Sequence, residues 1–565
     1  MSEPHAYPYW RSPPGVRRDF IDGRHGQLHY RIARPARPTR APLLCFHQSP
    51  GSSRMFARFL AAMGTDRLAL AADTIGFGES DPPPEPKEVE DFAAAMVDLL
   101  DALGLTTVDL MGMHTGSKVA VEVANQRPDR VRRLVLIAAP VFTAEELATF
   151  RHEYGGVPMV EDGSFYKGRW DMYVRYRGPH MDTDLLQREM AESVRAGERY
   201  TWGHRAAFNY PFGDRIKNLD KKVLVLNTED DLVVQTRRAK DYMRDGRIVE
   251  LPADRFGHGM LDADTAAIVD IVRPFLDDPV APAIADPSAA LRQLIASPAR
   301  APGFVRRAFA DQRWGQLHYR SCEPLRPTKR PLICLHASPL SGKSFATIMP
   351  LLAQDRVVLA PDTAGFGESD PPPTPVEIAD YAEVLSDFIL KRGHTDVDLF
   401  GFHTGSLLAV EIALRVPGLV NRLVLYSAPV FSEPELAEFR EHYTPVAFTE
   451  DGMHNVKRWQ SFWRWRGPGQ TVWMYANQFA ETLRWGPMYS WGHAAVFRHP
   501  FATRLGQLEN PILVLNPEDD IHEHTKRAAP LLKNGRVHPL PGFGHGMMDT
   551  RAPEIAALMR GFLDG

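Results

Sequence analysis

The chain has 565 residues, of which 44% are hydrophobic and 24% charged, and its formal net charge is −4. This composition is typical of globular proteins and excludes disordered and fibrous classes, while the small net charge gives no indication of a nucleic-acid or membrane partner. The three cysteines, Cys45, Cys322 and Cys334, are too few for a disulfide framework, and the N-terminus lacks the pattern of a secretory signal. We therefore expect a cytoplasmic protein.

The chain repeats itself at a fixed offset. His47 corresponds to His336 and His114 to His403, and both pairs differ by 289 positions (336 − 47 and 403 − 114). A single repeat of this length indicates a duplicated domain, because the units of solenoid proteins run to roughly 20–50 residues. We place the domains at residues 16–277 and 304–565, joined by a proline- and alanine-rich linker at 278–303. We expect the two domains to dock as an internal pseudo-dimer.

Strands and helices are predicted to alternate within each copy. Short, nearly continuous apolar runs in the first copy predict strands buried on both faces, at 42–46, 68–72, 108–111, 134–137 and 223–226. An apolar stripe predicts a helix at 89–104. The alternation stops at about 140–214 and again at 429–504, where we predict helical caps. The fold class is therefore α/β, with two tandem domains, each a mostly parallel sheet with helices on both faces and a helical cap.

Five motifs occur in the same order in both copies. They are HQSP or HASP after the first predicted strand, ADTIGFGESDPP or PDTAGFGESDPP, GMHTGS or GFHTGS, LVLNTEDD or LVLNPEDD, and FGHGM. Together they resemble the α/β-hydrolase fold superfamily, specifically its capped branch of haloalkane dehalogenases, epoxide hydrolases and C–C bond hydrolases. The resemblance covers nearly all of both copies.

The resemblance implies a role for several residues. It makes Asp231 and Asp520 the acids and His258 and His545 the bases. Backbone N–H groups would form the oxyanion hole, those of Gln48 and Thr115 in the first copy and of Ala337 and Thr404 in the second. We expect each base to hydrogen-bond its acid at about 2.6–3.2 Å.

The departure from the family is at the nucleophile elbow. The family has serine, aspartate or cysteine there, whereas this chain has His114 and His403. Haloalkane dehalogenation and ordinary epoxide opening require an elbow carboxylate in this family, so the resemblance argues against both. Ser117 and Ser406 follow the elbow by three residues and are expected to line the first helical turn rather than attack.

An elbow imidazole leaves four roles open. It could attack the substrate to give an acyl-imidazole, or hold a water or substrate proton while His258 and Asp231 act as the base. It could ligate zinc with His258 and a third imidazole, that of His204 or His493. Alternatively, the triad is inactive and the pocket only binds a ligand. The first two roles together form our leading hypothesis, which needs neither metal nor cofactor.

Histidines and aromatic residues of the cap and the oxyanion loop are the candidate substrate-binding residues. They are His47, Trp202, His204, His336, Trp491 and His493, and the four histidines could instead be structural residues. The sequence thus predicts a cofactor-free hydrolase of an ester, lactone or activated C–C bond. Its substrate would be a small molecule of aromatic size, because the caps contain several tryptophans and tyrosines, or an anionic one, because they also contain arginines.

Overall fold

The computed structural model of the protein describes residues 9–278, 296–443 and 447–565, and contains one eight-stranded sheet in each half of the chain. The strands of the first sheet are β1 (Val16–Gly23), β2 (Gly26–Ala33), β3 (Leu43–Phe46), β4 (Ala69–Ala72), β5 (Val108–Met113), β6 (Val131–Ile137), β7 (Lys222–Asn227) and β8 (Gly246–Glu250). Those of the second are β9 (Arg306–Gln312), β10 (Gly315–Cys322), β11 (Leu332–Leu335), β12 (Val358–Pro361), β13 (Val397–Phe402), β14 (Val420–Tyr426), β15 (Ile512–Pro517) and β16 (Gly535–Leu540).

Both sheets have the same topology. The strand order is β1-β2-β4-β3-β5-β6-β7-β8 in the first and β9-β10-β12-β11-β13-β14-β15-β16 in the second. The hairpin β1–β2 and the contact of β2 with β4 are antiparallel, and the other pairs in the first sheet are parallel. The predicted fold class, two tandem and mostly parallel α/β sheets, is confirmed.

Helices cover both faces of each sheet. In the first half they are α1 (Ala57–Met63), α2 (Val89–Ala102), α3 (Thr115–Gln126), α4 (Ala144–Glu153), α5 (Ser164–Tyr176), α6 (Thr183–Val194), α7 (Trp202–Asn209), α8 (Phe212–Lys217), α9 (Val233–Arg237), α10 (Met260–Ala263) and α11 (Thr265–Asp277). In the second they are α12 (Met349–Leu352), α13 (Ile378–Lys391), α14 (Thr404–Arg415), α15 (Glu433–His442), α16 (Met453–Trp463), α17 (Val472–Leu483), α18 (Trp491–Arg498), α19 (Phe501–Leu505), α20 (His522–Lys526), α21 (Met547–Thr550) and α22 (Ala552–Leu563).

The caps are helical insertions at one edge of each sheet. Helices α4 to α8 lie between β6 and β7, and α15 to α19 lie between β14 and β15. Because β6 and β14 run parallel to their neighbours, each insertion starts at the carboxyl ends of the strands, where open α/β sheets bind ligands.

The two halves contact each other through reciprocal pairs. The indole N–H of Trp170 donates to the backbone oxygen of Glu450 at 2.8 Å, and that of Trp459 donates to the backbone oxygen of Glu161, also at 2.8 Å. Exchange of the same bond in both directions is the mark of an isologous, two-fold interface. The halves therefore pack as a pseudo-dimer.

A network of buried charges crosses this interface. The guanidinium of Arg484 lies 3.1 Å from the carboxylate of Glu79 in the other half, and it also bonds Glu368. Its counterpart Arg195 bonds Glu79 and lies 3.6 Å from Glu368. Removing one partner from such a buried network leaves an uncompensated charge, which is strongly destabilising.

The predicted linker at 278–303 falls largely on residues 279–295, which lie outside the described residues. In the described part of the chain, no helix combines the length and apolar character that crossing a bilayer requires.

Candidate active site

The elbow histidines occupy a strained turn between strand and helix. His114 joins β5 to α3 with φ 51° and ψ −112°, and His403 joins β13 to α14 with φ 49° and ψ −111°. A positive φ is costly for a residue other than glycine and persists only where the surrounding structure imposes it. Both imidazoles line a cavity, as the resemblance implies for a nucleophile position.

Glycines on either side make this turn possible. A Cβ at Gly112 would meet the backbone of Gly116, and a Cβ at Gly116 would meet the backbone oxygen of Phe46. The hydroxyl of Ser117 donates to the backbone oxygens of Gly112 and Ile137, both at 3.0 Å, so it is a structural group. The central histidine is therefore the side chain that this turn presents.

In the second domain, two histidine–aspartate pairs face each other. Nε2 of His403 lies 2.9 Å from Oδ2 of Asp519, and Nε2 of His545 lies 2.8 Å from Oδ1 of Asp520. The two imidazole centroids are 5.4 Å apart. Each ring thus has its Nε2 on a carboxylate, and the His545–Asp520 distance lies in the range expected from the sequence.

The first domain is arranged differently. Nε2 of His114 lies 3.1 Å from Oδ2 of Asp230, and the centroid of His258 is 5.4 Å from that of His114. However, Asp231 accepts a hydrogen bond from the hydroxyl of Tyr154 at 2.5 Å. Neither ring nitrogen of His258 has a hydrogen-bond partner among the described residues. The expected bond between His258 and Asp231 is therefore not formed, and Oδ2 of Asp231 bonds the tyrosine instead.

The partners of the elbow histidines, Asp230 and Asp519, were missed from the sequence. Each directly precedes the expected acid, so each copy carries an aspartate doublet. Both carboxylates are held in place, Asp230 by the hydroxyl of Thr228 at 2.7 Å and Asp519 by the hydroxyl of Ser427 at 2.5 Å. The doublet places one carboxylate on each imidazole in the second domain.

Burial and neighbouring carboxylates act on the imidazoles in opposite directions. Burial disfavours the charged form of His403, but Asp519 and Asp520 outweigh it and raise its pKa. The pKa of His114 is raised in the same way by Asp230. Burial and the charge of His114 instead lower the pKa of His258. The elbow histidines are thus biased towards imidazolium, whereas His258 is biased towards the neutral ring.

The two sites open into cavities of very different size. The second domain has a cavity of about 520 Å³, with aromatic walls from Phe462, Trp465, Tyr475 and Tyr489. The corresponding cavity of the first domain measures about 70 Å³. Only the larger one falls in the range of typical small-molecule sites. The walls differ at one matched position, where the larger Met172 of the first domain corresponds to Ser461 of the second.

The other residues predicted to form the sites divide into two groups. Gln48, Thr115 and His204 line the first cavity, and Ala337 and His493 line the second. His204 and His493 are buried, which lowers their pKa values to about 3 and about 4.

The remaining predicted residues are not among the described residues that line either cavity: His47, Trp202, His336, Trp491 and Thr404. The ring of His47 bonds the backbone oxygen of Gln48 at 2.7 Å and the backbone N–H of Thr74 at 2.9 Å. His336 makes the same two kinds of bond with Ala337 and Thr363. These two histidines fix loops rather than meet a substrate.

Two clusters in the described residues have the side chains that ligate metals. His403, Asp519, Asp520 and His545 place four ligand atoms within 4.8 Å of one another, and His114, Asp230 and His258 place three. His204 and His493, the third ligands considered from the sequence, belong to neither cluster, and His493 instead bonds the hydroxyl of Tyr443 at 2.7 Å. Two imidazoles and two carboxylates suit zinc.

Comparison with known proteins gives matches in both halves. A family model described as alpha/beta hydrolase fold matches residues 41–252 and 330–451. A haloalkane dehalogenase of Bradyrhizobium diazoefficiens is 30% identical over 175 residues, which cover 30% of this chain and 56% of that protein. A haloalkane dehalogenase of Mycolicibacterium paratuberculosis is 29% identical over 272 residues, covering 44% and 87%. The crystal structure of the enol-lactonase from Burkholderia xenovorans LB400 is 20% identical, with a TM-score of 0.38, and covers 44% of this chain and 96% of that one.

Proposed function

Because this chain belongs to the alpha/beta hydrolase fold family, we propose that it is a hydrolase whose principal active site is the cavity of the second domain. The reaction is addition of water to a carbonyl carbon of an ester, a lactone or a ketone with an activated C–C bond. The observation that carries the proposal is the pair of facing imidazoles, His403 and His545, each hydrogen-bonded to its own aspartate beside a cavity of about 520 Å³.

The two imidazoles take complementary roles. His545, oriented by Asp520, accepts a proton from water, and the resulting hydroxide attacks the carbonyl carbon. The elbow His403, which Asp519 biases towards imidazolium, donates a proton to the departing oxygen or carbon. The backbone N–H group of Ala337, which lines the cavity, stabilises the intermediate oxyanion. No covalent intermediate is needed, because the raised pKa keeps more of the elbow imidazole protonated, and a protonated ring can donate a proton but has no free lone pair for nucleophilic attack.

The elbow histidine also limits the reaction class. Displacement of halide by an elbow carboxylate is not available to this chain, although haloalkane dehalogenases are among its relatives. The aromatic walls of the cavity favour an aromatic-sized substrate.

The first test is a screen of purified protein against aryl esters and lactones. The variant His403→Ala should lose about 10²–10⁴-fold in rate, the usual contribution of a positioned proton-transfer group. The matched variant His114→Ala alters the same elbow position in the first domain and should keep most of the activity. If the wild type hydrolyses none of these compounds, and the wild type and His545→Ala bind them with equal affinity, the protein is a binding protein instead.

A zinc hydrolase is the second candidate, favoured by the four ligand atoms around His403 and His545. Zinc would lower the pKa of a bound water to about 7 and generate hydroxide without a histidine base. Measuring the metal content of the purified protein distinguishes the two candidate functions. Stoichiometric zinc that the wild type retains and Asp519→Asn loses supports the zinc hydrolase. Full activity in metal-free protein supports the acid–base reaction.

A further inference from the structure

A buried lysine distinguishes the first domain from the second. Lys118 lies on α3, one turn after His114, and is 2% exposed. It lines the small cavity together with His114 and Asp231. The corresponding residue of the second domain is Leu407, so the family fold does not require a cation here.

The amine of Lys118 lacks the partners that buried lysines normally have. None of the lysine ion pairs found among the described residues includes Lys118. Its Nζ lies 5.5 Å from the ring centroid of Phe142 and 5.2 Å from that of Phe212. Glu122, one turn further along α3, is instead held by the hydroxyl of Tyr210 at 2.8 Å. Aromatic faces alone stabilise an ammonium weakly in comparison with a carboxylate.

This environment favours the neutral amine. Burial lowers the pKa of Lys118 to about 7, so a large fraction of its amine is neutral and has a free lone pair at neutral pH. An exposed lysine with a pKa of about 10.4 has roughly one neutral amine in 10³ at that pH. Desolvated lysines of this kind serve as nucleophiles towards carbonyl compounds in other proteins.

We propose that Lys118 is a nucleophilic amine that captures a small aldehyde or ketone as an imine in the cavity of the first domain. This activity goes beyond the proposed hydrolysis, which is assigned to the second domain. The cavity of about 70 Å³ restricts the ligand to a few heavy atoms, because one water occupies about 10–15 Å³ of such volume.

Formation of the imine needs no reactant other than the amine and the carbonyl compound. The lone pair of Nζ attacks the carbonyl carbon, and a proton passes from the nitrogen to the carbonyl oxygen to give a carbinolamine. Loss of the hydroxyl group with a second proton from nitrogen releases water and forms the C=N bond. His114 lines the same cavity and is placed to relay these protons.

The test is reductive trapping of the full-length protein. The protein is incubated at pH 7 with propanal and sodium cyanoborohydride, and the alkylated lysines are identified by peptide mapping over time. Lys118 should be modified about 100-fold faster than the exposed Lys457, because burial leaves far more of the Lys118 amine neutral at pH 7, and this outweighs its lower basicity. Lys457 is a suitable reference because it lines the larger cavity.

Two variants complete the test. Lys118→Leu copies the second domain and should abolish the fast phase of lysine alkylation. Leu407→Lys should introduce a new fast-reacting lysine in the second domain only if a buried amine at this position is sufficient for fast alkylation. The proposal is overturned if Lys118 reacts no faster than Lys457 in the wild type. That measurement does not depend on the folding of any variant, and it is independent of whether esters are hydrolysed.

Discussion

Replacing Asp519 by asparagine removes the charge that holds the elbow imidazole of the second domain while keeping the shape of the side chain. The Asp519 side chain is 1% exposed and lies 2.9 Å from Nε2 of His403. A hydrogen bond to a charged group contributes about 1.5–3 kcal/mol, and each 1.36 kcal/mol corresponds to a factor of ten in rate. If His403 donates its proton as an imidazolium, kcat should fall about 10- to 100-fold.

The assay is steady-state hydrolysis of the best ester or lactone from the screen. Because Asp519 holds a proton donor and does not contact the substrate, KM should change little while kcat falls. Asp230→Asn makes the same change at the elbow of the first domain and should leave kcat close to that of the wild type. A folded Asp519→Asn protein with wild-type kcat would refute the assignment of His403 as the acid.

Three other predictions concern the cavity, the elbow and the interface. Ser461→Met copies the cavity wall of the first domain, so KM for a bulky aryl ester should rise roughly 10-fold while KM for a short acyl ester is unaffected. Steady-state kinetics with the two esters would check this prediction, and equal effects on both esters would contradict it. Gly405→Ala would place a Cβ against the backbone oxygen of Leu335, so it should lower the free energy of unfolding by about 3 kcal/mol or more. Denaturant titration would measure the loss, and wild-type stability would mean that the elbow is not close-packed. Trp170→Phe and Trp459→Phe each remove one of the reciprocal hydrogen bonds between the domains, and each should lower the free energy of unfolding by about 1 kcal/mol in the same titration. Unequal losses would argue against the pseudo-two-fold interface.

The central parallel strands and the elbow could be predicted from the sequence because their determinants are local. The run at 43–46 is buried at every position, and the glycines around His114 mark a turn of unusual geometry. The antiparallel hairpin of β1 and β2 was missed. β1 alternates only loosely between buried and less buried positions, and β2 is buried throughout although it contains Gln27, His29 and Arg31.

The hydrogen-bond partners in the two sites could not be predicted, because they depend on tertiary contacts between identical residue types. Tyr154 and Tyr443 occupy the same repeat position, but Tyr154 bonds Asp231 whereas Tyr443 bonds His493. No local pattern distinguishes these choices. The doublet Asp519–Asp520 was a visible signal for a second carboxylate, but the spacing alone does not say which imidazole each aspartate would bond.

The facing imidazoles of the second domain are the centre of the proposed function, and His545 tests it most directly. His545→Ala and its matched variant His258→Ala remove the base position from one domain each, so a single substrate can be assayed with both. We predict that His545→Ala loses about 10²–10⁴-fold in kcat/KM, because it removes the group that deprotonates water, while His258→Ala retains most of the activity. Wild-type kcat/KM in a folded His545→Ala protein would contradict it.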